Sequence, residues 1–174
     1  RHRDVYFHAA DPSLAPISVI ITTLAARSYE YCVGHLIYDD EFDVVRDILR
    51  HMPNFIETSK NSDRPQWCIW NETTLGESFA EKWNKEPERA EAFFSWHARA
   101  TSDFDRLIDI DGFDRLSKSL SDALGPTPVT NAMDALTAEV SAARQSNKLF
   151  VTPTAGLITV APATAVRTAT AVRP

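Results

Sequence analysis

Pro16-Ile17-Ser18-Val19-Ile20-Ile21-Thr22-Thr23-Leu24-Ala25-Ala26 is the stretch that decides how this chain is read. Proline suits the first position of a helix, where its missing N–H would have no partner. From Ile17 to Ala26 the apolar side chains then cover nearly every face of a helical wheel. A helix that is apolar all round belongs in the centre of a fold, which predicts a buried helix at about 15–31. Ser18, Thr22 and Thr23 break the run, and it falls short of the roughly 18–20 apolar residues that cross a bilayer. No membrane role is expected.

Working outward, helical spacing dominates. Asp39 or Asp40 can cap a second, amphipathic helix, with Phe42, Val45 and Leu49 on one side and Asp43, Asp47 and Arg50 on the other. Pro53 interrupts before a short turn through Ile56. Gln66-Trp67-Cys68-Ile69-Trp70 is the best strand candidate. Ser78–Trp83 is again helical in pattern, and Phe93, Trp96, Ala100, Phe104, Leu107 and Ile108 define a long helix over about 87–110. Phe113, Leu116, Leu120 and Leu124 outline a shorter one, stopped by Gly125-Pro126. Thr127 then caps a last helix with Pro128 at its first position and Val129, Met133, Leu136, Val140 and Ala143 as its apolar stripe. Upstream, residues 1–11 read as the end of one element followed by the Asp11-Pro12 turn. The fold class is mainly α, a helical bundle with at most one or two short strands. Beyond Lys148 the composition shifts to Ala, Thr, Val and Pro, so the domain is expected over 1–148 and a linker or truncated terminal segment over 149–174, with Leu157, Ile158 and Val160 able to form a strand.

The net charge of −6 conceals an asymmetry. Every acidic residue lies within 1–139, where the balance is −10, whereas 140–174 carries only Arg144, Lys148, Arg167 and Arg173, a balance of +4. An acidic body argues against broad contact with a nucleic-acid backbone. Cys32 and Cys68 are too few for a disulfide framework, and a reducing, cytoplasmic setting is expected. Arg1-His2-Arg3-Asp4 is not a signal peptide, and with no initiating Met the chain is expected to begin inside a longer protein.

Three constellations are weighed for chemistry. Asp109-Ile110-Asp111 resembles the carboxylate pairs that hold two metal ions in phosphoryl transfer. It closes a helix, however, without a preceding glycine-rich loop, so solvated charges are the expected reading. Cys32, His35 and Cys68 offer a Cys-x-x-His spacing but lack the second pair that a structural zinc site needs. The five histidines read as surface or capping residues, and the aromatic series Phe79, Trp83, Phe93, Phe94, Trp96 and Phe104 as core. What remains is Ser18 in the first turn of the buried helix, with Arg1 and Arg3 before it. A helix N-terminus with free N–H groups and nearby cations suits a phosphate.

Arg1-His2-Arg3-Asp4, followed by Pro16–Ala26, resembles the bacterial CD-NTase family, relatives of cyclic GMP-AMP synthase and oligoadenylate synthase that act in antiphage signalling. Trp70-Asn71, Glu77-Ser78-Phe79-Ala80-Glu81-Lys82-Trp83 and Phe93-Phe94-Ser95-Trp96 extend the likeness over about 1–125. Glu72 stands where that family usually has Pro, and Ser78 where it has Asn. The resemblance implies the C-terminal helical lobe of a polymerase-β-like nucleotidyltransferase that makes cyclic oligonucleotides from nucleoside triphosphates. It further implies Ser18, Arg1 and Arg3 as triphosphate contacts. Mg2+ or Mn2+ would be bound outside this chain, on the carboxylates of a missing N-terminal catalytic lobe, so no catalytic residue and no activity are expected here alone. The alternative is a stand-alone helical protein-interaction module without catalysis.

Overall fold

A computed structural model describes residues 1–59 and 66–148, together with the backbone of three short strands beyond them. Seven α-helices carry most of these residues: α1 (His2–Ala9), α2 (Ser18–His35), α3 (Glu41–His51), α4 (Glu81–Lys85), α5 (Glu88–Arg106), α6 (Phe113–Leu124) and α7 (Pro126–Gln145). The described strands are two or three residues long: β1 (Glu57–Ser59), β2 (Gln66–Cys68), β3 (Phe150–Thr152), β4 (Gly156–Ile158) and β5 (Val166–Arg167). The mainly α expectation holds. By packing, the chain divides into two compact units, Arg1–Gly125 and Pro126–Pro174.

The core of the first unit is built around α5. Ala90, Phe93, Trp96 and Ala100 recur at helical spacing on its buried face. Against them pack Phe7 of α1, Ile20 and Leu24 of α2, and Met52, Ile56, Ile69, Ala80 and Trp83 from the intervening segments. The aromatic series reads correctly as core: Trp83, Phe93 and Trp96 are buried, and Phe93 meets Phe94 edge-on with ring centres 5.4 Å apart. Ile108 departs from the expected stripe and is exposed, because a 3-10 turn at Leu107–Asp109 ends the α-helical spacing.

Helix α2 differs from expectation in two ways. It begins at Ser18, with Ile17 as an extended N-cap, so Pro16 lies two residues before the first helical residue rather than opening the helix. Only one of its faces is buried, the stripe Ile20, Leu24, Ser28 and Cys32. On the other side Val19, Tyr29, Val33 and Leu36 are exposed, and Ile37 beyond the helix is 98 % exposed. The segment is apolar all round in sequence and half open in this structure.

Asp40 caps α3 as expected, its Oδ1 accepting the Phe42 N–H at 2.6 Å. Val45, assigned to the apolar side, faces outward, while Phe42 stacks on Phe104 of α5 at 6.1 Å. Strand β2 is found where the aromatic run placed it, paired antiparallel with β1 so that Thr58 faces Trp67. Asn84 mimics a further strand there: its side chain accepts the Trp67 N–H and donates to the Trp67 carbonyl. The helical pattern at Ser78–Trp83 is realised later, at Glu81. Ser78 instead uses its hydroxyl to accept the N–H groups of Ile69 and Ala80.

In the second unit α7 starts at Pro126, two residues ahead of the expected Pro128, and Thr127 lies inside it. Its end is a Schellman-type stop: Asn147 adopts φ 54 and the Lys148 N–H reaches the Ala143 carbonyl at 2.8 Å. Strand β3 lies between β4 and β5, antiparallel to both. Leu157 and Ile158 therefore do form a strand, while Val160 and the rest of the linker reading lie outside the described residues. Among the described residues no helix is long and apolar enough to cross a membrane.

Candidate functional site

Helix α1 and the start of α2 meet at the site. Helix α1 carries Arg3 and Asp4, and α2 opens with Ser18. Arg3 Nη1 donates to the Ser18 hydroxyl at 2.9 Å and to the Pro16 carbonyl at 3.1 Å. Its Nε and Nη2 both donate to Asp4 Oδ1, at 2.9 and 2.5 Å. A guanidinium has five N–H donors, so these bonds leave one hydrogen on Nη2 unengaged. The Arg3 hydrogen bond holds the Asp4 carboxyl below the usual carboxylate range, and the nearby Arg1 charge acts in the same direction.

The Ser18 side is open. Ser18 is exposed, and Ile17 supplies no side-chain cap to α2. The first amides of a helix have no acceptor within it and carry the positive end of its dipole. Ser18 Oγ accepts from Arg3, which leaves its own O–H hydrogen to donate outward. A hydroxyl donor, uncapped amides and a cation thus converge where an anion would be held.

Arg1 is placed differently from Arg3. Its guanidinium turns toward the end of α6, where a Cβ on Gly125 would stand 3.8 Å from Nη2. The structure joins Arg3 to Ser18 and draws Arg1 toward the carbonyl end of another helix, where a cation is also favoured.

Beside the start of α2 lies a recess of about 40 Å³ lined by Pro16, Ile17, Ile20, Trp83, Lys82 and Arg89. That is room for a water molecule, not for a nucleobase. A larger hollow of about 460 Å³ includes Thr101, Asp105 and Asp109 on α5 and the turn after it, and a groove of about 370 Å³ runs past His2, Tyr6 and Asp103.

The remaining candidates do not converge. Asp109 ends the 3-10 turn after α5, and Asp111 precedes the N-cap of α6, so neither stands on a strand. Cys32 is buried in the α2 stripe, Cys68 sits on β2, and His35 stacks on Tyr31 at 4.6 Å. Among the described residues no three Cys, His, Asp or Glu side chains are grouped to hold a metal ion.

Sequence reasoning missed three residues around the site. His2, read as a surface residue, is buried, with Nε2 3.2 Å from Asp103 Oδ2 and Nδ1 accepting the Trp96 indole N–H at 3.1 Å. Asp4 pairs with Arg3, and its place beside that arginine in the sequence is the signal for it. Arg27 reaches from α2 to the Trp70 carbonyl at 2.8 Å and to Glu72 at 3.0 Å, tying the loop after β2 to the helix. Glu72, the residue standing where the resembled family has Pro, thus makes an ion pair of its own.

No protein-family model matches the sequence. A c-di-GMP synthase of Roseivirga ehrenbergii is 28% identical over 156 residues, which cover 90% of this chain and 39% of that protein. The chain is similar to a cyclic dinucleotide synthase. It spans about two-fifths of the relative's length, so the likeness concerns one part of a larger protein.

Proposed function

We propose that this chain is the helical lobe of a CD-NTase-like nucleotidyltransferase that joins nucleoside triphosphates into a cyclic oligonucleotide. The observation that carries the reading is the exposed Ser18 hydroxyl at the uncapped start of α2, held by Arg3. In this reading Ser18 and Arg3 contact the triphosphate, and Arg1, one residue before α1, adds positive potential. The similarity to a c-di-GMP synthase supports the reaction class. The described residues do not fit a two-metal centre, so no metal step is assigned to them. Mg2+ or Mn2+ would be held by carboxylates on a separate catalytic lobe, while this lobe orients the triphosphate against it. That lobe is also the partner proposed for the exposed side of α2, whose Val19, Tyr29 and Val33 form an unpartnered apolar stripe in the described residues. The product would act in the cytoplasm as an antiphage signal on a downstream effector.

The test is Ser18→Ala in the complete protein. Loss of one hydrogen bond of about 1 kcal/mol raises the triphosphate KM roughly fivefold. The kcat should stay close to wild type if the contact is equal in ground and transition states. Unchanged kinetics would remove Ser18 from the site. The same apolar stripe is the observation that favours the second reading, a helical interaction module. Saturable binding of GTP or ATP by the wild-type protein, lost on Arg3→Ala, separates the two.

A further inference from the structure

Helix α1 (His2–Ala9) packs on α5 and α6. Only His2 and Phe7 anchor it by burial. Phe7 joins the apolar core and makes no directional bond there. His2 is fixed in both directions. The Trp96 indole is a donor only, so Nδ1 of His2 must be the bare nitrogen and Nε2 the one that carries hydrogen toward Asp103. Asp103 is itself pinned by Arg99, whose Nε donates to the same Oδ2 at 2.7 Å. All three partners, Trp96, Asp103 and Arg99, belong to α5.

We infer that His2 is a positioning residue: its two directional bonds to Trp96 and Asp103 of α5 set the rotation of α1 and so deliver the Arg3 guanidinium to Ser18 at the start of α2. The reason is geometric. Arg3 is the next residue along the helix, and a slip of one residue turns each side chain by about 100°. A guanidinium so rotated cannot hold both the Pro16 carbonyl and the Ser18 hydroxyl. A polar anchor in an apolar setting has this use: when mis-set it leaves unpaired groups, and it thereby selects one register where a purely apolar anchor tolerates several. The chain of contact runs from α5 through His2 to Arg3 and ends at Ser18. Its consequence for triphosphate binding rests on the function proposed above, but the geometric claim does not.

The experiment uses the full chain labelled with 15N. Hydrogen exchange of the Arg3 Nη1 hydrogens, which hold the Ser18 hydroxyl and the Pro16 carbonyl, is followed at low temperature, together with calorimetric titration of GTP. His2→Phe keeps a planar ring and removes both polar bonds. It should speed exchange of the Arg3 Nη1 hydrogens at least tenfold and weaken GTP binding fivefold or more. His2→Gln restores a donor toward Asp103 and should return both readouts to within about threefold of wild type. Ile69→Val, a core change away from α1, should lower Tm without moving the Arg3 signal, which separates positioning from general loss of stability. Should His2→Phe fail to fold, Trp96→Phe removes the indole donor together with part of a buried ring, and its Arg3 signal is read against that of Ile69→Val, which carries a core loss without touching His2. An Arg3 signal indifferent to His2→Phe, or to Trp96→Phe in its place, overturns the inference. If the wild-type protein takes up no GTP, the triphosphate reading fails while the Arg3 exchange rates still decide the part played by His2.

Discussion

Arg3 holds its place by spending most of its donors within the protein. Two are taken by Asp4, one by Ser18 and one by the Pro16 carbonyl. The pairing with Asp4 keeps the guanidinium aligned but also puts a carboxylate beside any incoming phosphate. Asp4→Asn removes that charge and weakens the competition for Nε and Nη2. Affinity for GTP at low salt should rise about threefold, and the gain should shrink as salt screens the exposed charges. Isothermal titration at two ionic strengths checks this, and an unchanged or lower affinity would show that Arg3 does not reach the anion. The pH dependence has a definite sign. Because Arg3 lowers the Asp4 carboxyl below its ordinary value, the pair contributes fully above about pH 4 and is lost as pH falls through the lowered value. Acid therefore frees Arg3 as Asp4→Asn does, and in the mutant the Arg3 Nε–H shift should no longer respond to pH in that range.

Within α2 the buried stripe Ile20, Leu24, Ser28 and Cys32 contains one misfit. Ser28 is fully buried, and its hydroxyl makes no hydrogen bond. Such a group keeps its desolvation cost without compensation, and serine is also a poorer helix former than alanine. Ser28→Ala should therefore stabilise the protein by about 1 kcal/mol, seen as a Tm several degrees higher. A loss of stability would mean the hydroxyl has a partner in solution. The elements themselves were largely legible. Spacing alone located α5 and α6 to within a few residues, and the Asp40 cap of α3 was visible because carboxylate capping is a local interaction. What spacing could not supply was long-range. The burial of His2 depends on Trp96 and Asp103, more than 90 residues away, and its polar sequence context gave no sign of it. The start of α2 differs for a local reason: Pro16 is compatible with a helix opening, but Ile17 after it is extended and serves as the N-cap. For the site, Ser18 and Arg3 were legible from helix-terminus chemistry and the family resemblance. The turning of Arg1 toward Gly125 was not, since it depends on where α6 ends.

At the scale of the whole molecule, the exposed side of α2 governs behaviour in solution. Val19, Tyr29 and Val33 lie on α2, with Leu36 and Ile37 just beyond its end, each more than a third exposed. Apolar area costs roughly 25 cal/mol for each Å² left in water, so exposed apolar side chains on one side of a helix favour association when a complementary surface is offered. In the proposed enzyme that surface is the catalytic lobe. For the chain by itself the available surface is a second copy. Sedimentation should accordingly show self-association that strengthens with protein concentration and persists at high salt, because apolar contact, unlike ion pairing, is not screened. Val33→Glu places a charge at the middle of the stripe, on a side chain already half exposed, and should return the chain to a monomer while helix content by circular dichroism stays unchanged. Association that survives Val33→Glu, or that dissolves in salt, would locate the contact elsewhere. A wild-type monomer at high concentration would mean the stripe is too small to act as an interface, and the case for a second lobe on α2 would lose its physical basis.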